Sequence, residues 1–219
     1  LWPLSDHRFA WDLVSVIDPL LSGLLLLLIV ASLIWRKKLF LLMSVAWISL
    51  YLSIAAIQHQ RALDWATALA AERSHRFNQL HAKPSFGNIV VWKTLYEFDE
   101  VFYVDAVRPG LLAISGWKGA SVAKLNIERD LPWLDTESQQ AADVERFRHF
   151  SAGFIALDPN NPKRIGDIRY SQLPQAIDPL WGIEVSPAAG PAHHAVYVTD
   201  RSGSRDDMTR LLNMIFSIP

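Results

Sequence analysis

Apolar positions fall into two long blocks near the start of the chain and into short runs after residue 88. Leu13 to Trp35 gives 23 residues with one charge, Asp18. Arg36, Lys37 and Lys38 follow, and Leu39 to Ile57 then gives 19 residues with no charge. A bilayer core is about 30 Å thick and needs about 20 mostly apolar residues to cross as a helix. Hydrocarbon offers backbone N–H and C=O groups no partners, so each block is expected to be helical. The pattern predicts a membrane α-helical hairpin with spans at about 13–35 and 39–57.

The flanks refine this picture. Residues 1–18 mix Trp2, Phe9 and Trp11 with Asp6, His7, Arg8 and Asp12, as an interfacial segment does. Phe9, Leu13, Val16 and Ile17 share a helical face, which predicts a short interfacial helix. Asp18-Pro19 is a helix-start signal, Asp as the cap and Pro as the first helical residue. A span beginning at Pro19 has 17 residues, roughly 25 Å, slightly short. Either the helix includes Leu13–Ile17 with a kink at Pro19, or Asp18 sits below the interface. Arg36-Lys37-Lys38 is a dense basic turn of the kind that marks the cytoplasmic side.

Past Ile57 the helix is expected to continue as a connector over 58–83. Gln58 to His81 lacks Gly and Pro, and Pro84 stops it. Residues 84–219 then read as a soluble α+β domain with mainly antiparallel strands. Ile89–Trp92, Thr94–Tyr96 and Val101–Val104 are β-branched and aromatic around an Asp99-Glu100 turn, which predicts a hairpin. Leu111–Ser115 and Ser121–Leu125 are weaker strands, with Gly116 to Gly119 read as a turn between them. A helix is expected from Thr136 to about His149. Strands follow at Phe154–Leu157, Arg164–Tyr170, Gly182–Val185 and Ala195–Thr199, and a last helix runs to Phe216.

Composition narrows the partners. The net charge is −1, which gives no support for nucleic acid. There are no cysteines, so disulfides, thiolate metal sites and a Cys nucleophile are excluded. The chain opens Leu1-Trp2-Pro3 without Met or a signal-peptide pattern, and reads as the middle of a longer protein.

Chemistry is sparse. No GxSxG, HExxH or phosphate-cradling glycine loop is present. The best polar cluster is Asp6, His7, Asp12 and Asp18. A carboxylate at the depth of Asp18 is a functional candidate, with plain helix capping as the competing reading. Asp12 and Asp18 are six residues apart and meet only if the chain bends near Pro19. Asp and His donors suit Zn, Mn or Mg. His59, His75 and His81 are spaced 16 and 6 residues apart, not as a helical metal pair, and read as solvated or interfacial. His193-His194 reads as surface. Asp167 and Arg169 are expected to pair as a structural brace. Trp133 and Trp181 read as packing anchors.

Leu1-Trp-Pro-Leu-Ser-Asp-His-Arg-Phe-Ala-Trp11 with Ile17-Asp-Pro19 resembles a stretch of the YdjM-like family of bacterial inner-membrane metal-dependent hydrolases. Pro84-Ser-Phe-Gly-Asn88 through Trp92-Lys93 is similar to the family's lead into its soluble domain, with Lys93 in place of Arg. Gly166-Asp-Ile-Arg-Tyr170 with Pro179-Leu-Trp-Gly182 is similar to its late strands. The resemblance implies a multi-pass inner-membrane hydrolase with a periplasmic domain and a divalent metal, zinc among the candidates. It places most ligands upstream of Leu1. Of the residues here it carries over Asp18, as catalytic group and metal ligand; the enzyme reading of the polar cluster adds Asp12 as a second catalytic group and His7 as a further ligand. The substrate would be a lipid or other ester or phosphoester at the membrane face. The competing expectation is a non-catalytic membrane protein whose domain binds an envelope partner.

Overall fold

In the computed structural model, which describes residues 11–110, 113–200 and 205–216, Asp18 opens the first helix. Its backbone is extended, and its carboxylate accepts from Leu21 N–H at 3.0 Å. Helix α1 runs Pro19–Trp35 and stops at Arg36, whose φ is +51°. Residues 11–18 are not helical, so the interfacial helix and the start at Leu13 are corrected where they fall on described residues. The reason lies in Pro19. It has no N–H, and its ring disfavours helical backbone at the residue before it, so Asp18 becomes a cap.

Helix α2 runs Lys38–Glu72, 35 residues, roughly 52 Å at 1.5 Å per residue. It lies beside α1, with Trp47 Nε1 donating to Leu21 O at 3.3 Å. Trp35 and Phe40 stack across the basic turn with ring centroids 5.3 Å apart. Among the described residues α2 is the one helix long and apolar enough to cross a bilayer; α1 is apolar but shorter.

The helical connector ends sooner than expected. The chain leaves α2 at Glu72, passes Ser74 at φ +61°, and forms strand β1, Leu80–Pro84. Good helix formers lose here to a tertiary bond. Arg73 places two guanidinium nitrogens on the Asp105 carboxylate at 2.7 and 2.8 Å, pinning the helix end to a strand. The β-rich domain therefore begins at Leu80, not at residue 84.

Strands β1, β2 (Trp92–Phe98), β3 (Val101–Pro109) and β4 (Ile114–Ala123) form one antiparallel sheet in sequential order. The expected hairpin joins β2 to β3. Asp99 and Glu100 both have positive φ, which matches the twist of flanking strands. Ile89–Val91 is not strand, because Asn88 Oδ1 takes the N–H groups of Val90 and Val91, both at 2.8 Å. The turn read at Gly116–Gly119 is instead the middle of β4. Gly116 lies under the Trp65 ring, and Gly119 N–H donates to Asp105 at 2.9 Å; both need a bare backbone for close approach.

A short helix α3 (Ile127–Asp130) and helix α4 (Gln139–Phe150) lead to the second sheet. Ser138, not Thr136, caps α4. Strands β5 (Ile155–Asp158), β6 (Asn161–Asp167), β7 (Trp181–Glu184) and β8 (Val196–Thr199) form that sheet, again antiparallel and sequential. Helix α5 (Arg205–Phe216) closes the described chain. Val144 and Phe147 of α4 pack on Ile155, Ile165 and Ile183 of the second sheet. Leu95, Phe102 and Val104 meet Phe154, Ala156 and Ile168, joining the two sheets. Ala55 and Ala62 of α2 pack on Trp92 and Val107, and small side chains let sheet and helix approach closely. The architecture is thus two N-terminal helices followed by a domain of two antiparallel four-stranded sheets.

Candidate functional site at the helix–sheet junction

Asp18 is 4% exposed at the point where α1 begins, and its two oxygens are both engaged. One caps Leu21, and the other accepts from the Tyr51 hydroxyl of α2 at 2.5 Å. The bland reading of Asp18, capping, is therefore met, and a tie to the neighbouring helix is added. Asp12, at φ +47°, does not join Asp18. Its carboxylate accepts from Lys83 Nζ of β1 at 2.5 Å. Leu13 and Val14 tuck between these two acids, against Tyr51, Ala55, Ile89 and Trp92. His7 lies outside the described residues.

Lys83 extends the cluster. Its ammonium stands 5.3 Å from the Tyr170 ring centroid, and the Arg169 guanidinium lies 5.4 Å from the same ring. Arg169 also grips Asp167, which is fully buried, at 2.6 and 2.9 Å. The expected Asp167–Arg169 brace is present, though β6 ends at Asp167 and a turn makes it.

Two histidines read as solvated belong to this junction. His59 of α2 packs on Trp92 at 5.4 Å between centroids. His81 of β1 meets Phe154 edge-on at 4.9 Å, and its Nε2 is buried with no hydrogen-bond partner among the described residues. Burial lowers the pKa of both below the usual imidazole value, and Lys83 lowers them further while Asp12 opposes. Both rings are held in the neutral form, which can accept a proton or coordinate. The spacing argument missed them because it placed both on one helix. The break at Glu72 folds β1 back alongside α2 and brings them together.

Behind this cluster Lys93 of β2 is 5% exposed and donates to Ser171 Oγ at 2.7 Å and Ala176 O at 2.8 Å. Burial pushes its pKa down to about 7, against the opposing pull of Asp167 and Asp178. His194, read as surface, is exposed but bonds Asp143 through Nδ1 at 2.9 Å. Trp181 packs on the second core and against Tyr170, as an anchor should; Trp133 stays 39% exposed.

Both Asp18 oxygens are committed, to a cap and a hydroxyl, and one Asp12 oxygen is held by an ammonium. Among the described residues no three His, Cys, Asp or Glu side chains come together as a metal-holding group. The described residues do not by themselves fit a metal centre. Comparison with known proteins adds no family: no family model, no curated protein and no solved structure matches the chain.

Proposed function

We propose that the protein is a membrane-bound hydrolase acting on an ester or phosphoester at the membrane face, in line with the YdjM-like resemblance. In this reading α1 and α2 form a hairpin through a bacterial inner membrane. The Arg36-Lys37-Lys38 turn faces the cytoplasm and the β-rich domain the periplasm. The apolar exposed faces of both helices and the single basic turn support it.

The observation that carries the functional part is the polar junction itself. Neutral His59 and His81, cationic Lys83 and Arg169, and Asp12 gather where the apolar helices end. Lys83 and Arg169 suit an anionic ester group, and a neutral imidazole suits removal of a proton from attacking water. The water oxygen would bond to the ester centre as the leaving oxygen departs and takes the proton back. Asp18 then serves as a positioning residue that fixes α1 against Tyr51.

A second reading is favoured by a specific observation: both Asp18 oxygens and one Asp12 oxygen are engaged in internal bonds. That suits a non-catalytic membrane protein whose domain binds an envelope partner. One experiment separates the two. The protein is reconstituted in nanodiscs, and its bound metal and its turnover of bis(p-nitrophenyl) phosphate are measured. The hydrolase reading expects turnover that His59→Gln and Lys83→Met each reduce by about a hundredfold, in the range of general acid–base loss. Absence of turnover and of bound metal in the unaltered protein would leave the non-catalytic reading.

A further inference from the structure

The domain carries a rigid turn that points a large aromatic outward at the level where α1 begins. In Ser85-Phe86-Gly87-Asn88, Phe86 is 56% exposed. Asn88 fixes the turn from within: its amide donates to Ser85 Oγ at 2.8 Å and Phe86 O at 3.1 Å, while its carbonyl holds Val90 and Val91. Gly87, at φ +74°, donates to Ser15 Oγ at 3.2 Å. A Cβ on Gly87 would lie 3.6 Å from the Pro19 ring, so the turn rests on the first residue of α1. The adjoining segment is also apolar and bare. Trp11 is 78% exposed, Val16 94% and Ile17 58%, and Leu20 in the first turn of α1 is 60% exposed.

We propose that Phe86, with Val16 and Ile17, enters the headgroup–acyl boundary as a third contact with the lipid surface, beside the two helices. This inference rests on the membrane-spanning reading above and deepens it. Lipid is the occupant because the patch is continuous with the exposed apolar surface of α1, whose Leu24, Leu26 and Leu27 are likewise bare. Trp35 and Trp11 at opposite ends of that surface sit where amphipathic rings settle, on either side of the acyl region. A loop fixed by its own hydrogen bonds loses little entropy on insertion, so one exposed Phe suffices to orient the domain against the bilayer. The consequence is functional. The Lys83–Asp12 pair and both junction histidines are held at the lipid surface, not free to tilt away from it.

The absence of cysteine makes the test direct. Phe86→Cys, Leu50→Cys in the middle of the apolar block of α2 and Glu128→Cys on α3, beside the β2–β3 turn at the other end of the first sheet, are each labelled with the environment-sensitive dye NBD. The labelled full chains are reconstituted in vesicles of phosphatidylethanolamine and phosphatidylglycerol. Quenching is read with nitroxides placed high or low on the acyl chain. The expectation is that position 86 loses about half of its emission to the high nitroxide and less to the low one, as an interfacial contact does. Position 50 should be quenched by the low nitroxide and position 128 by neither. Position 86 as unquenched as 128, with 50 still quenched, overturns the lipid contact and leaves the span intact. Lack of quenching at 50 overturns the span itself. A second variant, Val16→Cys, repeats the reading should the first disturb the turn, and the same two outcomes apply.

Discussion

The two halves of α2 share one unbroken backbone and almost nothing else. From Lys38 to about Ile54 the exposed side chains include Leu39, Leu41, Leu42, Met43, Val45, Leu50, Leu52 and Ile54, with Lys38, Ser49 and Ser53 as the polar ones, and the buried ones include Ser44 and Tyr51. From Ala55 to Glu72 the buried positions are Ala55, Ala62, Ala66, Leu69 and Ala70, and the exposed ones include Gln60, Asp64, Thr67 and Glu72. The first half is apolar outside and the second apolar inside. Which face of a helix is apolar follows what surrounds it, and the apolar face of this helix switches from outside to inside partway along. The polar junction sits at that change, bounded below by Asp18–Tyr51 and reached above by His59.

The largest effect is expected at the far end of the second half. Arg73→Ala removes one partner of a pair whose Asp105 side chain is 3% exposed, and should cost about 3–5 kcal/mol. Chemical denaturation in detergent would read it; an unchanged midpoint would mean that the helix end is not held by this pair. Charge placed on the outer faces breaks the comparison most directly. Leu50→Lys, near the middle of the apolar block, should cost about 2.5–3.5 kcal/mol of membrane insertion. Ala68→Lys, on the exposed face of the second half, should stay within about 0.5 kcal/mol of no effect in a thermal melt. Equal responses at the two positions would erase the distinction between the halves.

Lys93 gives a pH test of the sheet that faces the second half. Its pKa is about 7 when folded and about 10.4 unfolded, so the unfolded chain holds more protons between those values. Stability should therefore rise as pH climbs from about 7 to about 10, by on the order of a few kcal/mol. Lys93→Met should flatten that slope, and melts across the range would show whether it does. At the boundary itself, Tyr51→Phe strips the donor from one Asp18 oxygen and should cost about 1–3 kcal/mol. A melting temperature equal to the parent's would show that this oxygen finds water. The smallest effect belongs to the two histidines. Their folded pKa values are lowered, so the unfolded chain binds protons first below about 6.5 and stability falls as pH drops through that region. A His59→Gln, His81→Gln double variant should lose part of that acid sensitivity in the same melts.

The helix pair was legible because the physics acts along the chain. An apolar block of bilayer length, a basic turn and an Asp-Pro start each follow from a few neighbouring residues. The Asp99-Glu100 hairpin and the position of α4 were readable for the same reason. The polar junction was not. His59 and His81 are 22 residues apart, and only the break at Glu72 places β1 next to α2. Asp12 was weighed with Asp18 because they are close in sequence, yet it bonds Lys83, 71 residues away.

By itself the sequence determined where the long apolar helices lie, where the chain turns between them, and that strands follow helices, since hydropathy and local backbone preference need no distant partner. Tertiary structure decided where α2 stops, which way the glycines of β4 are used, and which charges meet at the junction. Those outcomes depend on contacts such as Arg73 with Asp105 and Trp65 over Gly116, whose energy exists only once distant segments have packed.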